Sequence, residues 1–213
     1  MKKNIINFLL IVFLIGLSSF NKNKAPLGGT VYKCTTCCLV KIGDGNNTPW
    51  ESGCKSSSGT PNYFEIAKTA QAKYHTTRKD YVIVVDYTKS IFLERLYVLE
   101  MKTGEIVIRS TVAHAWNSGV LYPNIFSNID ESNMSSAGCY VTAGTYIGKF
   151  GYSMKIRGLD KGVNDRAEAR SIIFHSSKKM KTVWSFGCFA TPEETNKKII
   201  DLTKNGCLVC IIN

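Results

Sequence analysis

A mainly β fold with a few helices packed on it is predicted by three observations. The run "YVIVVD" (81–86) is continuous and β-branched, a composition that suits strands better than helices. "KSIFLERLYVLEM" (89–101) alternates through Leu93, Arg95, Tyr97 and Leu99, and "KTG" (102–104) turns the chain into "EIVIRSTVAH" (105–114). These two runs read as a hairpin. Further strand candidates lie at 138–143, 145–157, 171–175 and 207–212.

The helices are fewer. In "PNYFEIAKTAQAKYH" (61–75), Phe64, Ala67 and Ala70 or Gln71 recur at helical spacing, and "TTRKD" ends the pattern. A second, amphipathic helix is predicted over 191–204, with Ile199, Ile200 and Leu202 inward and Gly206 just past its end. Its expected start has Thr191 as N-cap, Pro192 as the first helical residue and Glu194 closing a capping box. "GVNDRAEAR" (162–170) reads as a short helix or turn. No internal repeat is visible.

A chain of 213 residues suits one domain with extensions, or at most two small domains. Lys2 and Lys3 precede the apolar "FLLIVFLIGL" (8–17), and "SSFNKNK" follows. That layout reads as an export signal over residues 1–20, with an uncleaved anchor held by residues 5–20 as the alternative. No A-x-A cleavage site and no Cys directly after the apolar run are present. Residues 21–60, rich in Gly, Ser, Thr, Asn and Cys, read as a cysteine-stapled loop segment or a linker. Residues 61–213 are the globular domain. An exported chain of this kind belongs in the periplasm or cell envelope.

Export makes the eight cysteines disulfide candidates first and metal ligands second. If Cys139 and Cys188 stay free, Cys34, Cys37, Cys38, Cys54, Cys207 and Cys210 form an even set. The rival is a zinc site of Cys34, Cys37, Cys207 and Cys210, although "CLVCII" reads as a strand. The formal charge of +11 is spread along the chain, with no basic helical stripe carrying interleaved aromatics. Nucleic acid is therefore not the expected partner; an anionic envelope or wall polymer fits better.

The chemistry candidates are few. His175 ends the strand "RSIIFH", and Cys188 lies 13 residues on, in "WSFGC". If "SSKKMKTVW" loops out, the imidazole can draw the thiol proton and give a thiolate–imidazolium pair. Gly187 permits a tight turn at the nucleophile, and the Gly187 and Cys188 amides are candidate oxyanion donors. From spacing alone, an inert buried Cys188 with a satisfied His175 is an equal alternative.

Papain-like and wall endopeptidase cysteine enzymes place Cys before His; sortases place His far upstream, with an Arg after the Cys. Neither order fits His175 and Cys188. The stretches "RLYVLEMKTGEIVIRSTVAHAWNSG" (95–119), "FSN" (126–128), "SSAGCYVTAGTYIGKFGYSMKIRGLD" (135–160), "GVNDRAEARSIIFH" (162–175) and "SFGC" (185–188) do have a match. From about Tyr81 to Asn213 the chain resembles the L,D-transpeptidase catalytic domain of bacterial cell-wall enzymes, nearest its murein L,D-transpeptidase branch.

The resemblance implies an L,D-transpeptidase-like β-sandwich with a helix after the Cys. It makes Cys188 the nucleophile, His175 the base and Ser176 the residue whose carbonyl orients the imidazole. The branch form V-A-H-x-x-N-S-G suggests that His114, Asn117 and Ser118 line the site, with a strand-end His114 that caps local backbone as the alternative. Ser185 and Phe186 are further substrate candidates, and Arg170, Lys155 or Arg157 is the candidate for the positive charge that the motif lacks. Asn164 and Asp165 are turn residues that position Arg170 or meet substrate. The implied reaction cleaves the bond before the terminal D-Ala of a peptidoglycan stem peptide and passes the acyl group to another stem, a 3→3 cross-link. With water as acceptor the same site is an L,D-carboxypeptidase. No metal or organic cofactor is implied, and a monomer is expected. The chain departs from the family pattern in three ways: Phe186 for the usual His or Trp, Phe189 and Ala190 where an Arg often holds a carboxylate, and Ser176 for Gly. A non-catalytic wall-binding protein on the same scaffold is the remaining alternative.

Overall fold

The computed structural model describes residues 61–213 and the backbone of 32–35 and 38–41. Strands β1 (Tyr32–Thr35) and β2 (Cys38–Lys41) pair antiparallel in a ribbon of their own, inside the segment expected to be loop. The expected export signal, and Cys37 and Cys54, lie outside the described residues.

The rest runs α1 (Tyr63–Lys73), β3 (Tyr81–Asp86), β4 (Leu96–Glu100), β5 (Ile106–Ser110), β6 (Cys139–Gly148), β7 (Gly151–Gly158), β8 (Ile173–Ser176), β9 (Phe189–Thr191), α2 (Glu193–Thr203) and β10 (Leu208–Ile212). The eight strands from β3 onward form one mixed sheet in the order β5-β4-β3-β10-β6-β7-β8-β9. The mainly β architecture is thus as predicted.

The C-terminal strand explains the apolar runs. β10 inserts between β3, to which it is parallel, and β6, to which it is antiparallel. One face of β3 and β10 (Ile83, Val85, Val209) enters the main core with Tyr140, Met154, Phe174, Phe189, Ile199 and Ile200. The other face (Val82, Val84, Leu208) packs under Tyr63, Ala67 and Ala70 of α1. Strands covered on both faces need apolar residues at consecutive positions, not alternating ones. Asn62 caps α1 by accepting from the Glu65 N–H.

The two ends of the sheet meet beyond β5. Ala113 N–H donates to the Ala190 carbonyl at 2.8 Å, and Ala115 bridges Ser185 in parallel sense. The chain after β5 is thereby stitched to the segment that carries Cys188, which fixes the position of the site.

Several expectations fail locally. The 89–101 run is strand only from Leu96, because Arg95 turns inward and is fully buried. β6 continues through Gly144 to Gly148, so the hairpin turn falls at Lys149–Phe150 and not at 144. β9 occupies residues expected to start the second helix. Thr191 is therefore no N-cap: its hydroxyl donates to Asn196 Oδ1, Pro192 takes the cap position, and no side chain caps the helix. Cys139 is not free but bonded to Cys210. The β6–β10 register sets the two opposite each other, with Cα atoms 4.2 Å apart. That bond removes Cys210 from the zinc alternative, and the described residues hold no cluster of metal-ligating side chains.

Candidate active site

His175 and Cys188 come together through β8 and β9. These strands are parallel, with His175 opposite Ala190 and Phe174 opposite Phe189. Phe174 and Phe189 stack at 4.9 Å inside the core, so their neighbours His175 and Ala190 face the other way. Cys188 stands in the bend immediately before β9. Its thiol lies by Ser171 and Ile173, at the start of β8, the strand that carries His175.

The imidazole is oriented for base work. Nδ1–H donates to the Ser176 carbonyl at 2.9 Å, which fixes the tautomer and leaves the Nε2 lone pair free. No buried side-chain nitrogen or oxygen lacks a partner among the described residues. Nε2, which has none, therefore keeps some solvent exposure, although the residue as a whole is buried. The ring of Phe150, from the β6–β7 turn, stacks on the imidazole at 4.2 Å and 19°. Lys149 lies over the Phe150 ring at 5.6 Å. Burial depresses the His175 pKa, against a smaller upward pull from the Ser176 carbonyl.

The thiol donates to the Ser171 carbonyl at 3.6 Å, not to His175. Burial raises the Cys188 pKa, opposed by the Ile173 N–H and the Arg170 charge. Burial thus works against charge on both groups, while the Arg170 charge favours the thiolate.

Ser185 builds the turn that presents the thiol. Its hydroxyl donates to the Cys188 carbonyl at 2.7 Å and accepts from the Gly187 N–H at 3.2 Å. Of the two expected oxyanion donors, the Gly187 amide is already engaged. Gly187 adopts φ +129°, and a Cβ there would stand 3.3 Å from the Met134 carbonyl, so the turn requires glycine. Phe186 projects into solvent, 76% exposed. Phe189 lies in the core, edge-on to Tyr140, and cannot stand in for a carboxylate-binding Arg.

Arg170 is near the thiol, with both terminal nitrogens engaged. Nη1 donates to the Ser127 carbonyl and Ser136 Oγ, and Nη2 to Ser132 Oγ and the Met134 carbonyl. It ties the 127–136 loop to the site and lends Cys188 its charge, not a free fork. Asn164 and Asp165 are likewise structural. Asn164 Nδ2 donates to the Ala137 and Cys139 carbonyls, and Asp165 Oδ1 accepts from Asn128 and Gly162.

His114 corrects its expectation as a substrate contact: it is 0% exposed. Nε2–H donates to the Gly119 carbonyl and Nδ1 accepts from Arg95 Nη2, both at 2.8 Å. Burial pushes its pKa down to about 4. Arg95, which sequence reasoning passed over, is wholly buried, with no carboxylate bonded to it among the described residues. Its guanidinium donates to the Val112 and Lys89 carbonyls and lies 4.8 Å from the Tyr87 ring centroid. Ser118 is buried, accepting from the Ser135 N–H, so it too braces loops. Asn117 is exposed and donates to the Ser132 carbonyl; of His114, Asn117 and Ser118 it alone faces solvent.

The sequence of this chain matches the family model of the L,D-transpeptidase catalytic domain over residues 56–212. The chain belongs to the L,D-transpeptidase catalytic domain family. Solved structures that it is similar to include an L,D-transpeptidase from Mycobacterium smegmatis, at 10% identity and TM-score 0.39 over 63% of this chain and 59% of that one. Another is an L,D-transpeptidase from Stackebrandtia nassauensis, at 16% identity and TM-score 0.39 over 71% and 64%. The chain thus spans about three fifths of those structures. No curated protein matches it. The family assignment rests on the sequence match.

Proposed function

We propose that the protein is an exported cysteine acyltransferase that acts on peptidoglycan stem peptides and forms 3→3 cross-links through a Cys188 acyl-enzyme. One observation carries the reading: His175 has Nδ1 fixed on Ser176 and Nε2 unpaired, on the strand beside β9, which directly follows Cys188. In the proposed cycle Cys188 Sγ attacks the carbonyl carbon before the terminal D-Ala while Nε2 takes the thiol proton. The tetrahedral oxyanion lies at the turn, where the Cys188 amide is the donor left. His175 then protonates the departing amine, D-Ala leaves and a thioester remains. A side-chain amine from a second stem attacks the thioester, its proton passes to Nε2, and the thiol is restored. No cofactor enters any step. Arg170 lowers the cost of charge on sulfur without touching substrate.

Export rests on the layout of residues 1–20; no helix among the described residues is long and apolar enough to cross a membrane. Incubation with purified tetrapeptide muropeptides, followed by mass analysis, tests the reaction. Cross-linked dimers are expected. Tripeptides alone would make the protein an L,D-carboxypeptidase, and no change with an intact fold would leave it a non-catalytic wall-binding protein.

A further inference from the structure

Most of the large apolar side chains left in solvent gather on three loops beside the site. Trp116, 51% exposed, and Val120, Leu121 and Tyr122 belong to the loop that His114 braces. Phe92 and Leu93 adjoin it, since the Ile91 N–H donates to the Leu121 carbonyl at 2.9 Å. Val183 and Phe186 adjoin it from the other side: Trp184 Nε1 donates to the Val120 carbonyl at 2.8 Å and meets Trp116 edge-on at 4.4 Å. Singly scattered apolar residues need no explanation, but a contiguous patch does.

The charge of this rim is mainly positive. Segments 89–94, 116–126 and 178–186 contain Lys89, Lys178, Lys179 and Lys181 against a single acid, Glu94. Lys89 turns to Tyr97, and Lys178 pairs with Glu193. Lys179 and Lys181 are exposed and make no ion pair among the described residues. We infer that the rim docks the protein on an anionic lipid bilayer. Phe92, Leu121 and Trp116 enter the headgroup boundary, and Lys179 and Lys181 meet the phosphates. Exposed Trp, Tyr, Phe and Leu next to Lys is the composition of a bilayer-interface surface. A second copy would bring only Glu94 from its own rim to those lysines. A short polar peptide has too little apolar surface to cover three loops. Docking would hold the Cys188 turn at the membrane face, whatever the site does there.

The test uses the full chain with Trp50→Phe, leaving Trp116 and Trp184 as the fluorophores, mixed with vesicles whose acyl chains carry bromine. The apolar segment 8–17 holds no Trp, so vesicle binding through it alone leaves the signal unquenched. Quenching is expected in phosphatidylglycerol vesicles. A loss of apparent affinity of about tenfold or more is expected with Lys179→Glu/Lys181→Glu, surface changes that spare the core. Leu121→Asp should abolish quenching, with near-UV circular dichroism as the folding control. Three results would overturn the inference: vesicle-bound but unquenched protein, equal quenching in neutral phosphatidylcholine, or a fluorescence shift without vesicles that grows with protein concentration, which marks self-association.

Discussion

The protein holds two buried histidines at the nucleophile's end of the sheet, and they differ by one nitrogen. His175 has a single ring nitrogen engaged, on its neighbour's carbonyl. His114 has both engaged, on Gly119 and Arg95. Burial lowers both pKa values, so perturbation does not tell them apart. What separates a base from a brace here is the unfilled lone pair. The same contrast divides the free thiols: Cys188 sits half-buried at the turn, whereas Cys207 is buried beside Asp80 with its pKa pushed up to about 11.

The largest expected effect is on the open side of this comparison. Cys188→Ala should abolish turnover on muropeptides while the melting temperature stays near that of the parent. His175→Ala should cut kcat/KM by about 10²–10⁴-fold, the usual scale for a positioned general base, with little change in unfolding midpoint.

On the braced side the effect should move from rate to stability. His114→Ala strands the Arg95 Nη2 donor and the Gly119 carbonyl. It should destabilise the fold by about 2–4 kcal/mol in denaturant melts, with far less loss of turnover per folded molecule than His175→Ala. The pH dependence follows from the same bond. The folded pKa of His114, about 4, lies below its ordinary 6.5, so the unfolded chain takes the proton first. The stability is complete above 6.5 and falls as pH drops toward 4, by about 3 kcal/mol. Equilibrium unfolding across that window checks it, and His114→Gln should flatten the slope.

The smallest effect sharpens the base itself. Phe150 shields one face of the His175 ring. Phe150→Ala should let water in, raise the His175 pKa and move the acid limb of the kcat/KM profile to higher pH. An unmoved limb would make Phe150 mere packing.

How much of this was legible in the sequence depends on how local each feature is. β3, the β4–β5 hairpin and α1 follow from patterns within a dozen residues. The Cys139–Cys210 bond does not, because it needs the register of strands 71 residues apart. Nor does β9: three residues between a turn and a proline are too short to show a period, and their partner is β8 across a long loop. Cys188 and His175 were named because they are chemically distinctive. His114 is placed at the substrate by the branch form V-A-H-x-x-N-S-G alone, and its two hydrogen bonds and its burial show the backbone-bracing alternative instead. Arg95 went unnoticed as a buried group because alternation in "FLERLYVLE" disguised the turn before β4.

The most direct test is acylation by a carbapenem, read by intact mass and peptide mapping. The account predicts one adduct, on the peptide carrying Cys188. It should be absent in Cys188→Ala, strongly slowed in His175→Ala and little slowed in folded His114→Gln. An adduct on Cys207, no adduct on folded protein, or equal slowing by the two histidine variants would contradict it.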